Sequence, residues 1–308
     1  MVSHRAGHLH PAGERMGASL NTASLPPEVH ALIEAALRED VGAGDWTTLW
    51  TVGPEVTAEA RILAKAEGVL AGMDVAREVF RLVDPSLEVR LLLGDGERVR
   101  PGTEVLRLSG AARSILTGER VALNFLQRLS GVATLARRYV DAVEGTGARI
   151  LDTRKTTPGM RWLEKRAVVA GGAANHRVGL YDMVLIKENH IAAAGGIAAA
   201  VAAVRSHNRA GLKVEVETTT LAEVGEALEA GVDRILFDNM PLGLLAEAVA
   251  RVRTWPELRP ETEASGGVDL LTVGSIAETG VDFISVGAMT HSVPALDLSL
   301  LIAQRAAG

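Results

Sequence analysis

From Arg149 onward, short apolar segments recur at a spacing that few folds accommodate. They are RILDT (149–153), MVLIK (183–187), LKVEVE (212–217), RILFDN (234–239), TEAS (262–265) and FISVGA (283–288). Ala-, Leu- and Glu-rich stretches of helical character separate most of them, such as TLAEVGEALEAG and LGLLAEAVARVR. From Lys187 to Gly287 the segment ends fall every 21 to 30 residues, the size of one strand-helix unit. Such alternation makes a parallel sheet, and about six units in one run point to an open or short α/β barrel. Barrels of this kind carry their chemistry at the C-terminal ends of the strands. Here those ends hold Asp152, Arg154 and Lys155, then Lys187, Glu217, Asp238, Ser265 and Gly287.

Before Arg149 the pattern changes. PPEVHALIEAALRED has apolar residues at helical spacing. TAEARILAKAEGVLAG and LEVRLLLGDGERVRPGTEVLRL alternate like antiparallel strands with Gly-containing turns. A long helical region follows, roughly Ala111 to Val143. The expected organisation is a disordered extension over residues 1–20, a smaller α+β domain over 21–130 joined by 290–308, and the barrel over 131–289. GAGD at 42–45 reads as a turn after a helix rather than a phosphate loop. The run GGIAAAVAAV is too short to span a bilayer, no signal-peptide core opens the chain, and the cytoplasm is the expected compartment. With no cysteine, disulfides, thiolate zinc sites and a cysteine nucleophile are excluded.

Charge is distributed unevenly. The whole chain has a formal charge of -6, yet Asp152 to His190 holds seven Lys or Arg against four Asp or Glu, with two histidines. The chain contains only five lysines, and three of them (Lys155, Lys165, Lys187) fall in that segment. Lysine is a compact ammonium, whereas arginine is a planar fork suited to carboxylates, so mixing the two implies several distinct anions to hold. A solvated surface helix accounts for Arg161, Glu164, Lys165 and Arg166. It accounts poorly for Arg154, Lys155 and Lys187, each of which adjoins an apolar run.

The strand ends can be read as chemistry. Glu217 and Asp238 offer the oxygen ligands that Mg²⁺ accepts, with substrate phosphates completing the shell. The turns at Ser265, Gly266 and Gly267, and at Ser285 and Gly287, expose backbone N–H groups suited to a phosphate monoester. Arg154, Lys155, His176, Arg177 and Lys187 supply cations beside them. Together they describe a site for a Mg²⁺-bound phosphorylated sugar and a small polycarboxylate. Asp152 and Thr153 read equally well as loop anchors or as substrate ligands. His190, with no assigned chemistry, reads as a satisfied hydrogen-bonding histidine.

At these residues the chain resembles the quinolinate phosphoribosyltransferase family. DTRKTTPG (152–159), EKRAV (164–168), GGAANHR (171–177) and LIKENH (185–190) look like its signature. LREDVGAGDWTT (37–48), GERVALNFLQRLSG (118–131), ILFDN (235–239), ASGG (264–267) and ISVGAMTHS (284–292) match as well. The departures are small: Ala173 stands where a third glycine is usual, and Glu188 where aspartate is frequent. The resemblance implies transfer of phosphoribosyl from 5-phosphoribosyl 1-pyrophosphate to quinolinate with decarboxylation, giving nicotinate mononucleotide in NAD biosynthesis. It implies an N-terminal α/β sandwich, a seven-stranded open α/β barrel, and a homodimer, with hexamers conceivable, whose sites draw on both chains. Arg120, Arg154 and Arg177 are then expected to clamp quinolinate, with Arg120 entering the neighbouring subunit's pocket. His176 and Lys187 add donors, Lys155 faces the pyrophosphate, and Glu217 rather than Glu215 reaches the mouth.

Two other readings remain open at this stage. A lone strand-end lysine, Lys187, suits a Schiff-base aldolase or lyase. The basic segment would suit a nucleic-acid binder, but an acidic chain with ten aromatics and no stacking run beside that segment argues against it.

Overall fold

The computed structural model describes residues 25–303, so the expected extension over residues 1–20 lies outside the described residues. The chain divides into two compact units, one of Arg177–Ser265 and the other of Leu25–His176 with the segment from Gly266 onward.

The second unit begins with helix α1 (Pro27–Val41), which buries Val29 and Ile33 at one helical spacing. The expected turn at 42–45 then ends in Asp45, whose carboxylate accepts the Thr48 N–H at 3.1 Å and starts helix α2 (Trp46–Thr51). Strands β1 (Thr57–Ala64) and β2 (Gly68–Val69), helix α3 (Met73–Val83), and strands β3 (Glu88–Leu91), β4 (Arg98–Val99) and β5 (Glu104–Ala111) follow. Helix α4 (Ala112–Ala142) runs for 31 residues, within the helical region read from the sequence. The antiparallel sheet takes the order β12-β1-β5-β3, where β12 is Leu298–Ala303. Its alternation is the physical content of the TAEARILA pattern: Ala58, Ala60, Ile62 and Ala64 are buried while their neighbours face outward. The buried face lies against α4, and α3 packs along α4 and β3. Ile62, Leu106 and Leu108 are at most 2% exposed. Each contributes roughly 1.5–3 kcal/mol by leaving water.

The same unit holds strand β6 (Arg149–Leu151), helix α5 (Arg161–Ala170), and, after Gly266, helix α10 (Val273–Glu278), strand β11 (Phe283–Ser285) and helix α11 (Ala288–His291). β6 and β11 pair in parallel, Ile150 opposite Ile284. On the other side of β6 a further parallel segment is reduced to a single bridge, Leu151 to Ala174. The Asp152 N–H donates to Ala174 O and the Ala174 N–H to Ile150 O at 3.1 and 2.9 Å. With only one residue in the ladder, this segment leaves no strand-like run in the sequence.

The unit Arg177–Ser265 is a parallel ladder in the order β10-β9-β8-β7, built from β7 (Val184–Ile186), β8 (Val214–Thr218), β9 (Arg234–Asp238) and β10 (Glu261–Ser265). Helices α6 (Glu188–Ala194), α7 (Ile197–His207), α8 (Leu221–Ala230) and α9 (Leu242–Arg253) connect them. Ile235, Leu236 and Phe237 are all buried, the continuous apolar run of a strand covered on both faces. α8 opens on a capping box, Thr220 accepting the Glu223 N–H and Glu223 reaching back to the Thr220 N–H. Six parallel strands thus lie among the described residues, at the six segments read from the sequence.

Gly131 of α4 crosses the chain near Pro294, and a Cβ built there would stand 2.2 Å from the Pro294 carbonyl oxygen. Backbone cannot yield as a side chain does. Gly131→Ala is expected to cost about 1–3 kcal/mol of unfolding free energy by overpacking. Urea unfolding with no change of midpoint would show that the two segments separate freely.

Candidate functional site

In the unit Arg177–Ser265, four strand ends lie along one edge of the ladder. Lys187 follows β7, Glu217 is the last but one residue of β8, Asp238 ends β9, and Ser265 closes β10. Parallel register places them side by side, since Ile186 pairs with Val216 and Ser265 with Asp238. The Lys187 ammonium meets Glu217 Oε2 at 2.6 Å, with the lysine half-exposed and the glutamate largely covered. Lys187 also starts α6: its N–H donates to His190 Nδ1 at 3.0 Å, so His190 is the satisfied histidine expected. Asp238 Oδ2 accepts from the Asn239 amide at 2.9 Å. Asn239 has φ 51°, the one positive value outside glycine among the described residues. Its N–H donates to Ser265 O at 2.9 Å, which holds the turn after β9 against the end of β10. The Arg177 guanidinium donates to Met183 O at 3.3 Å.

Below this edge lies a polar layer that the sequence reading did not find. Glu215 is on the same face of β8 as Glu217, two residues deeper, and is sealed from solvent. That depth is why only Glu217 reaches the edge. Arg234 donates to Glu263 Oε2 at 2.8 Å and to Glu261 Oε2 at 2.8 and 3.0 Å. Burial pushes the Glu215 carboxyl up to about 7, with the charge of Arg234 and a hydrogen bond from Glu263 pulling the other way. The signal was present: VEVE, RILFD and TEAS each carry a charge at an inward position of an apolar strand.

In the second unit, Asp152 follows β6 and is fully buried. It accepts the His176 N–H at 2.9 Å and is ion-paired with the buried Lys165 ammonium, which also donates to His176 O at 2.9 Å. Burial pushes the Asp152 carboxyl up to about 6, opposed by the Lys165 charge. Asp152 is therefore the loop anchor of the two readings. The expectation that Glu164 and Lys165 lie on a solvated helix face is overturned, because both are fully buried. α5 is covered on one side by α4, and Glu164 and Lys165 bond the segments that follow β6, so the helix has little exposed face. Arg154 and Lys155 beyond Asp152 are exposed, and Arg166 stacks over Trp162 at 4.7 Å. Gly266 and Gly267 have φ of 89° and 62°, a left-handed turn that a side chain strains. Ser285 is buried at the end of β11, Gly287 lies two residues on, and Arg120 is exposed on α4 beside Glu119.

Exposed cations on the loop after one strand, and carboxylates with a lysine at the ends of others, define an α/β enzyme that handles anionic substrates. Residues 45–130 match the quinolinate phosphoribosyl transferase N-terminal domain, and residues 132–301 its C-terminal domain. The chain is 46% identical over 312 residues to a chloroplastic nicotinate-nucleotide pyrophosphorylase [carboxylating] of Oryza sativa subsp. japonica, covering 95% of this chain and 84% of that protein. It is 47% identical over 281 residues to a probable nicotinate-nucleotide pyrophosphorylase [carboxylating] of a Synechocystis strain, covering 90% and 94%. The solved nicotinate-nucleotide pyrophosphorylase of Francisella tularensis superposes with a TM-score of 0.85 at 38% identity, over 91% of this chain and 98% of that one. The chain belongs to the quinolinate phosphoribosyltransferase family.

A carboxyl whose folded value lies near 7 rather than about 4.3 holds its proton in the folded state while the unfolded chain releases it. Stability therefore falls as pH rises between those two values. Glu215→Gln should flatten that fall, most clearly between about pH 6 and 7, where Asp152 has largely completed its own change. Urea unfolding at stepped pH measures the slope, and equal slopes in both proteins would refute the assignment.

Proposed function

We propose that the protein transfers the phosphoribosyl group from 5-phosphoribosyl 1-pyrophosphate to quinolinate with decarboxylation, yielding nicotinate mononucleotide, pyrophosphate and carbon dioxide in NAD biosynthesis. The observation that carries this reading is the match of both family domains, together with Lys187, Glu217 and Asp238 side by side at strand ends.

The pyridine nitrogen attacks the anomeric carbon of the sugar as pyrophosphate departs. Arg154 and Arg177, with Arg120 from a neighbouring subunit, grip the two carboxylates through forked hydrogen bonds. His176 and Lys187 add donors to the acid, Lys155 meets the pyrophosphate, and the turns at Ser265–Gly267 and Ser285–Gly287 receive the 5′-phosphate. Glu217 and Asp238 are hard oxygen donors at adjacent strand ends, a set that suits Mg²⁺, and they would hold it. Bound Mg²⁺ supplies neutralisation of the charge that grows on the leaving pyrophosphate. Once the nitrogen is alkylated, carbon dioxide leaves with the electron pair of the breaking bond remaining on C2, stabilised by the adjacent positive nitrogen, and C2 then takes up a proton from solvent, so the second step asks little of the protein. An organic cofactor is not part of the scheme. The Schiff-base reading loses ground because the Lys187 nitrogen is engaged by Glu217 at 2.6 Å. The cytoplasm is the proposed compartment. No helix among the described residues is long and apolar enough to cross a membrane, and the rice relative's name places that protein in the chloroplast.

Incubation with quinolinate, phosphoribosyl pyrophosphate and Mg²⁺ is expected to release carbon dioxide and pyridine nucleotide, with far less product from nicotinate. Nicotinate leaves the cations for the second carboxylate without that partner, which costs binding. Equal turnover of the two acids would overturn the substrate while leaving phosphoribosyl transfer intact.

The shared site of a homodimer is tested by complementation. Arg120→Ala and Lys187→Ala dimers should each be nearly inactive. After subunit exchange, a mixed dimer holds one doubly damaged site and one intact site, so roughly a quarter of all sites recover by two-fold symmetry. Absence of recovery, with exchange verified by mass, would remove Arg120 from the partner's site.

A further inference from the structure

Arg128 lies on α4, outside every candidate residue read from the sequence, yet its guanidinium joins four segments of its unit. It donates to Glu164 Oε1 through Nε at 3.2 Å and through Nη2 at 2.8 Å. Nη2 also reaches the Thr157 hydroxyl at 3.3 Å and the Thr290 carbonyl, and Nη1 the Val293 carbonyl at 3.4 Å. Glu164, fully buried, accepts the Thr157 N–H at 3.0 Å and its hydroxyl at 2.8 Å. Thr290 closes the ring, its buried hydroxyl donating to the Lys155 carbonyl at 2.8 Å.

The ring ties the loop after β6, which carries Lys155, to the loop after β11, which carries Gly287. The two loops also touch directly: a Cβ at Gly287 would stand 3.1 Å from Lys155 Cδ. Arg128, Lys155, Thr156, Thr290 and His291 line a cavity of about 530 Å³ beside them. A pure fold brace needs no such precision at an exposed loop, since a few backbone bonds would hold it.

Resting on the phosphoribosyl-transfer reading, we infer that Arg128 and Thr290 are positioning residues for the phosphorylated substrate, fixing the Lys155 ammonium against the Gly287–Thr290 backbone at one spacing. The Arg128 guanidinium and the Thr290 hydroxyl are taken up by the ring, and both act through Lys155. The consequence is specific to one substrate. Loosening the ring lets Lys155 and the Gly287 loop drift apart, which weakens the hold on phosphoribosyl pyrophosphate and spares quinolinate.

The test is steady-state kinetics of the full-length protein carrying Thr290→Val, which keeps the volume and removes the hydroxyl. KM for phosphoribosyl pyrophosphate should rise roughly tenfold, the scale of one lost hydrogen bond, with KM for quinolinate unchanged. Thr290→Ser should restore the wild-type value. Should Thr290→Val not fold, Arg128→Lys decides through the same split, because it keeps a charge beside buried Glu164 and loses the fork. A shift in both KM values together, or in neither, overturns the inference. A wild-type protein without transfer activity instead overturns the phosphoribosyl reading itself.

Discussion

Asp152 and Lys165 are both closed off from water, and most of what the chain presents after β6 depends on that pair. Moving two opposite charges into the interior is expensive, and their attraction offsets the cost only when further hydrogen bonds satisfy the remaining atoms. Here the His176 backbone supplies them, its N–H to the aspartate and its carbonyl to the ammonium. An apolar pair of similar volume would pack there without any desolvation cost. It would not grip the peptide at His176. The charged pair fixes the end of β6 to the end of the neighbouring Ala174 segment, and so fixes where Arg154 and Lys155 on one side and His176 on the other begin.

The same logic recurs in the ladder of Arg177–Ser265. Arg234 is held between Glu261 and Glu263, and Glu215 lies one layer beneath Glu217. Polar groups in the interior of a parallel sheet are costly, so they persist where each has a partner. Their effect is to set side chains at the strand ends from below. Glu217 then stands at the surface layer with Lys187 at 2.6 Å, while Glu215 remains sealed. A strained turn at Asn239 adds the last constraint, locking the end of β9 to that of β10.

Much of this is legible in the sequence, for physical reasons. Strands with both faces covered read as apolar runs, which is why RILFDN and MVLIK stand out. Helix α8 announces itself by the Ala-, Leu- and Glu-rich composition of TLAEVGEALEAG. The segment at Ala174 left no such trace, because a one-residue ladder has no periodicity to detect. At α5 the pattern misleads for the opposite reason. Arg161, Glu164, Lys165 and Arg166 have the spacing of a solvated face, and helical spacing cannot tell water from buried partners on the far side. The scarcity of lysine was the available hint that Lys165 is not a generic surface cation.

By itself, the sequence determined the alternation of strand and helix, the antiparallel region before it, and the residue types at each strand end. Those follow from local chemistry: side-chain period, capping residues and turn residues act over a few positions and leave a mark in order. Only the tertiary structure decided which charges meet. Lys165 lies 13 positions from Asp152, Glu217 lies 30 from Lys187, and Arg128 lies 162 from Thr290. Nothing in a one-dimensional pattern encodes such pairings, because they arise when helices dock on strands and loops close over them. Which carboxylate is sealed and which faces outward is a property of that docking, not of the residues alone.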